Sequence, residues 1–148
     1  MCSRIIENLV KGLEIDSNCS YGSQHFSGIY RNGKNLFKGS NNLRNSYNGK
    51  CTCYSTHAEM DVIYKLLKKI KDPCDLSNYC IAVVRIGRDG FIKNSRPCNE
   101  CLETMIKYRI KKIIYSNEHG DFKVEKPWEM EKQHTSSGFK FYMKTFNF

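Results

Sequence analysis

No stretch of the chain stays apolar for the roughly 18 residues that a membrane-spanning helix needs, so a membrane protein of that kind is excluded. The opening residues, MCSRIIENLVKGLEID, break their apolar pattern with Glu7, Lys11, Glu14 and Asp16, unlike a secretory signal peptide. A cytoplasmic protein is therefore expected. There are no internal repeats and no low-complexity linker, and 148 residues suffice for one sizeable core but not two. The expectation is one globular domain over residues 1–148.

Acidic residues are in short supply. Fifteen Asp and Glu stand against 24 Lys and Arg, a formal charge of +9, which would attract phosphates. The basic residues are scattered through YKLLKKIK and KYRIKK, a pattern that reads first as solvated helix faces and second as a nucleic-acid groove. Cysteine, by contrast, is abundant, with eight residues. Without an export signal these read as thiols used for metal binding or chemistry, not as a disulfide framework. Cys2, Cys19, Cys74 and Cys80 have no ligand-like spacing and read as plain thiols.

Along the chain, Ile5, Ile6, Leu9, Val10 and Leu13 recur at helical spacing and predict a helix over 4–13. HFSGIYRNGKNLFKGSNN predicts two strands joined at Asn32-Gly33, a dipeptide that suits a two-residue hairpin turn. Residues 43–55 read as a loop rich in Asn, Gly and Ser. A helix of about 14 residues is expected from His57, with Ile63, Leu66, Leu67 and Ile70 on its apolar face and Asp72-Pro73 as its stop. YCIAVVRI (79–86) reads as a strand buried on both faces, followed by a turn at Arg88-Asp89-Gly90. Pro97 is suited to the first turn of a further helix, on which Cys98, Cys101, Leu102, Met105 and Ile106 share a face. KKIIYS (111–116) is another strand, parallel to 79–86 through that helical crossover. FKVEK reads as a short strand, and GFKFYMKTFNF as a terminal strand or helix. The fold class is α/β, a mixed sheet covered by helices.

His57, Glu59, Cys98 and Cys101 carry the chemistry. A lone His or Glu at a helix start has ordinary structural uses, and one C-x-x-C could be a redox pair, a metal clip or two buried thiols. One imidazole and two thiolates together fit tetrahedral zinc (Zn2+) with one position left for water, as in catalytic sites. Side chains two residues apart on a helix point about 200° apart, so Glu59 is the proton shuttle beside His57 and not a fourth ligand. A Cys₄ structural site using Cys51, Cys53, Cys98 and Cys101 is the opposing reading, in a non-enzymatic zinc protein, and it leaves H-A-E unexplained. A second zinc beside the first, held by Cys51 or Cys53, is a lesser variant.

With H-A-E at 57–59 and P-C-x-x-C at 97–101, the chain resembles the cytidine/deoxycytidylate deaminase superfamily over roughly residues 24–118. The resemblance implies a three-layer α/β/α fold, zinc on His57, Cys98 and Cys101, and Glu59 as general acid/base. It also implies that Asn41, in GSN at the end of the second hairpin strand, contacts the sugar or base. The interval of 37 residues between Glu59 and Pro97 is long for the family. The bend of RIGRDGFIKNS accommodates it. The implied reaction is hydrolytic deamination of a cytosine nucleoside or nucleotide, of the cytidine or deoxycytidylate type, with release of ammonia. A base within tRNA or single-stranded DNA is the runner-up substrate, where the basic residues and nine tyrosines would hold phosphates and stack on bases. Free bases and pteridine or riboflavin precursors are further substrates of family neighbours. A homo-oligomer is implied as well.

Overall fold

The computed structural model describes residues 23–41, 46–47, 52–53, 56–71 and 75–132. The helix expected over 4–13 and the segment GFKFYMKTFNF lie outside them. Two strands, β1 (Ser23–Arg31) and β2 (Lys34–Ser40), form the hairpin, which turns at Asn32 (φ 52°) and Gly33 (φ +77°). Positive φ at both central residues matches the twist of the strands, which is why Asn-Gly occupies this turn. Within the segment read as loop, β3 (Ser46–Tyr47) and β4 (Thr52–Cys53) pair as a minimal antiparallel ladder. Helix α1 (Ala58–Leu67) follows. It is shorter than expected because its hydrogen-bonded pattern gives way to a turn at Lys68 and Lys69, ahead of Pro73.

The central strand β5 (Tyr79–Gly87) is flanked by β1, antiparallel over its whole length, and by β7 (Lys112–Ser116), parallel at Cys80–Val83. Its residues 81–84 are all buried, as its unbroken apolar sequence requires. The bend expected after β5 is a second hairpin: β6 (Ile92–Lys93) runs back along β5 at Arg85 and Ile86. Because β1 occupies the other edge of β5, β6 takes up the same edge as β7, beyond that strand's C-terminal end. Helix α2 (Asn99–Lys107) makes the crossover to β7, and β8 (Phe122–Glu125) closes the sheet in the order β2-β1-β5-β7-β8. A 3-10 turn at Pro127–Glu129 follows.

Alternation along the strands divides the apolar residues between two faces. Ile29, Ile81, Val83, Ile113 and Tyr115 pack with Val62, Ile63 and Leu66 of α1 and with Cys101, Leu102 and Met105 of α2. Tyr30, Ala82, Val84 and Ile114 form a separate cluster on the opposite face. The fold is thus α/β with a mixed sheet, and both described helices lie on one face. The further helical layer of a three-layer arrangement falls outside the described residues. Ile106 departs from its expected place. It is 38% exposed, because the buried stripe of α2 runs through Cys101, Leu102 and Met105 and ends there. No described helix is long and apolar enough to cross a membrane.

Candidate metal centre and active site

His57 and Cys98 hold equivalent places, each the N-cap of its helix with an extended backbone, and neither side chain caps it. An N-cap normally carries Ser, Thr, Asp or Asn, whose oxygen accepts an amide hydrogen of the first turn. Here both side chains turn to each other instead. His57 Nδ1 lies 3.2 Å from Cys101 Sγ and 3.4 Å from Cys98 Sγ. All three ligand atoms lie within 4.8 Å of one another, and both cysteines are buried. With zinc bonds of about 2.0–2.1 Å to nitrogen and 2.3 Å to sulfur, tetrahedral angles place nitrogen and sulfur roughly 3.5 Å apart. Both nitrogen–sulfur distances in the triad are close to that value. Two helix N-termini, each carrying partial positive charge, converge on the thiols and favour the thiolates a metal needs. Pro97 lies just before the cap, not in the first turn, so it shapes the approach to Cys98.

The electrostatics of the three side chains follow from this crowding. Burial lowers the pKa of His57, but its hydrogen bond to Cys98 and the negative charges of Cys98, Glu59 and Glu100 more than offset that and carry it to about 9. The Cys98 thiol is brought down to about 7, chiefly by a hydrogen bond from Cys101 and, against its burial, by His57. Cys101, the donor of that hydrogen bond and fully enclosed, is pushed up.

Glu59 is 4% exposed and stands outside the triad. Burial raises its pKa above the ordinary carboxylate value, while the His57 charge pulls the other way. A carboxyl group so placed holds a proton nearer neutrality, as a proton shuttle must. The adjoining Ala58 carbonyl accepts a hydrogen bond from Ser27 Oγ at 2.7 Å, which fixes the start of α1 against β1.

Asn41 directly follows β2 and lies next to His25. Its backbone N–H donates to the His25 carbonyl at 3.2 Å, and its Oδ1 accepts from the His25 N–H at 3.0 Å. The side chain is thus locked to β1 through one oxygen. Gly39 explains why the motif begins with glycine: a Cβ there would come 2.7 Å from Val62 Cγ1, 2.8 Å from Ser27 Oγ and 3.0 Å from Asp61 Oδ2. Asp61 Oδ2 also accepts the Ser40 N–H at 3.2 Å and pairs with Lys65 at 3.1 Å. Sequence reading passed over Asp61 and His25. Asp61 has the signature of any acid in a first helical turn, and only contact with β2 reveals its use. His25 is the cross-strand partner of Arg85, and its pKa is lowered to about 4 by burial, then by the charges of Arg85 and His57. Arg85 did leave a signal, a charge inside the apolar run YCIAVVRI.

Cys51, and the side chain of Cys53, lie outside the described residues, and with them the readings of a Cys₄ site or a second zinc. Among the described residues, His57, Cys98 and Cys101 are the group placed to hold a metal ion.

The model of the cytidine and deoxycytidylate deaminase zinc-binding region matches residues 19–117. Among solved structures, the chain is similar to a cytidine deaminase from Burkholderia pseudomallei, with a TM-score of 0.49 and 20% identity over 84% of this chain and 88% of that one. It is also similar to the dCMP deaminase from the cyanophage S-TIM5 in apo form, with a TM-score of 0.44 and 21% identity over 64% of this chain and 66% of that one. No curated protein sequence matches it.

Proposed function

Because the chain belongs to the cytidine and deoxycytidylate deaminase family, we propose that it is a hydrolytic deaminase of a free cytosine nucleoside or nucleotide, of the cytidine or deoxycytidylate type, releasing ammonia. The observation that carries this reading is the meeting of His57 Nδ1 with two thiols some 40 residues away, beside a buried glutamate that is not part of the triad. A structural clip would need four ligands and no acid.

His57, Cys98 and Cys101 would hold zinc, which would supply a water molecule acidified toward neutral pH. Glu59 takes one proton from the attacking water and gives it to the ring nitrogen next to the amino-bearing carbon, where it stays; it then takes the second proton from the new hydroxyl group and gives it to the amine, which departs as ammonia and leaves a carbonyl. Its raised pKa suits both halves of that transfer: it is basic enough to accept the proton and acidic enough to return it. Asn41 orients the sugar or base, with its backbone and Oδ1 already tied to His25 and its position fixed by Gly39 and Asp61. Glu59, Cys98 and Cys101 are all buried, and a low-dielectric setting of that kind strengthens polar contacts.

The test is ammonia release from cytosine, adenine and guanine compounds, each offered as base, nucleoside, monophosphate and short single-stranded oligonucleotide. Glu59→Gln is the control. Release from free cytidine or deoxycytidine compounds is expected, with loss of at least a hundredfold in the variant while zinc content stays at one per chain. Zinc-loaded protein inactive on every compound would refute the reading, as would a Glu59→Gln variant that turns over normally.

A further inference from the structure

A recess of about 500 Å³ lies at the β5–β6 hairpin, lined by Arg85, Arg88, Lys93 and Asn94 with Asp89 and Glu118. Two of its lining residues, Arg85 and Lys93, belong to a cross-strand row. His25 on β1 is opposite Arg85 on β5, and Arg85 is opposite Lys93 on β6. Cross-strand partners share a face, and alternation from Ile81 and Val83 places this row on the face that carries α1 and α2. The next row on the same face holds Ser27 opposite Val83, and Ser27 Oγ is the group that grips the Ala58 carbonyl between His57 and Glu59. Two residues along a strand is about 7 Å, so the row that holds Arg85 lies one such step along the strands from the row of Ser27, which grips the start of the H-A-E helix.

Within the recess the charges are unequally matched. Asp89 is already used on both oxygens: Oδ2 pairs with Lys93 at 2.8 Å, and Oδ1 accepts the Phe91 N–H at 3.1 Å. The Lys93 stem reaches it by lying flat across Gly87, where a Cβ would come 2.7 Å from Lys93 Cε. No described acid forms an ion pair with Arg85. Its Nε is buried and has no hydrogen-bond partner among the described residues. A buried guanidinium nitrogen without an acceptor is costly, and a phosphate oxygen is the acceptor that a planar fork of donors matches best.

We propose that this recess is the subsite for the 5′-phosphate of the substrate, with Arg85 as its principal ligand, so that the enzyme prefers a cytosine nucleoside monophosphate to the nucleoside. The proposal rests on the deaminase reading above and adds to it the substrate class. The β5–β6 hairpin, which lengthens the interval between the two motifs, is then a specificity element. It brings Lys93 beside Arg85 and carries Arg88 to the rim.

The experiment compares the zinc-loaded wild type with Arg85→Gln and Arg85→Lys. Steady-state kinetics are run on cytidine and deoxycytidine against their 5′-monophosphates, and uridine 5′-monophosphate and inorganic phosphate are titrated by calorimetry. The expected result is a wild-type preference for monophosphates. Arg85→Gln should cut kcat/KM for them roughly 10–100-fold through KM, the range of one charge-assisted hydrogen bond, and leave the nucleosides unchanged. Arg85→Lys should recover part of the loss. An equal fall for nucleoside and nucleotide would make Arg85 a structural residue and overturn the proposal. So would an unchanged preference, or an Arg85 effect seen only with single-stranded oligonucleotides. If nothing is deaminated, the deaminase reading fails by itself and calorimetry judges the recess: Arg85-dependent binding of the mononucleotide sustains it, and absence of binding overturns it.

Discussion

Replacing Gly39 by alanine adds one methyl group where the structure has no room for it. The new Cβ would lie 2.7 Å from Val62 Cγ1, 2.8 Å from Ser27 Oγ and 3.0 Å from Asp61 Oδ2. Val62 is fully buried in the core, and Ser27 is held by the Ala58 carbonyl, so neither can swing aside freely. The strand must therefore lift from α1 by several tenths of an ångström or more. Overpacking of this kind costs about 1–3 kcal/mol. For a chain of this length that lowers Tm by roughly 4–12 °C. Gly33→Ala is the contrast: no atom of the described residues outside the turn lies within 4 Å of the added Cβ, and the cost, about 1 kcal/mol, comes from the left-handed backbone at φ +77°. Scanning calorimetry of both variants, with zinc content and KM measured alongside, separates the two causes. Gly39→Ala should be the less stable and should raise KM, because Ser40 and Asn41 follow it directly, while zinc content stays full. Gly33→Asn should restore the wild-type Tm, whereas Gly39→Asn should be worse than Gly39→Ala. A Gly39→Ala protein that melts with the wild type and keeps its KM would refute the close seating of β2 on α1.

Zinc affinity should rise with pH from about 6 upward, because binding requires neutral His57, whose pKa is raised to about 9, the Cys98 thiolate, whose pKa is lowered to about 7, and the Cys101 thiolate, whose pKa is raised. Chelator competition at several pH values checks this, and proton release on zinc addition at pH 7 should accompany it; a pH-independent affinity would contradict it. His25 should set part of the acid limit of stability. The unfolded chain takes up its proton near 6.5 but the folded protein resists until about 4, so the contribution is complete above 6.5 and is lost as pH falls toward 4. Its full size is roughly 3 kcal/mol. Urea unfolding of wild type and His25→Gln from pH 4 to 7.5 should show a shallower acid decline in the variant. Zinc release acts on both proteins, so the difference isolates His25.

The local signals were read directly from residue types. Asn32-Gly33 marked a turn because few other pairs accept positive φ twice, and the unbroken apolar run from Tyr79 marked a strand covered on both sides. P-C-x-x-C and H-A-E marked two ligand-bearing helix starts, since neither motif serves a helix that merely packs. Residue order even made β5 and β7 parallel, because a helix lies between them. Less legible were the features that depend on which strand lies beside which. α1 stops early and Ile106 faces outward because tertiary packing, not periodicity alone, decides how far an apolar stripe is buried. The loop before His57 contains a short ladder, which no two-residue strand announces by pattern.

What the sequence determined by itself was therefore chemical: one imidazole, two thiols and a carboxylate, each at the opening of a helix. What only the tertiary structure decided was their meeting and their surroundings. His57 and Cys101 are 44 residues apart and come to 3.2 Å because β1, β5 and β7 register α1 and α2 on one face of the sheet. The same register sets Arg85 between His25 and Lys93, joins Asp61 to Ser40, and forbids a side chain at Gly39. Such neighbours are chosen by strand pairing over long sequence separations, and a side chain carries no local mark of the partner it will face.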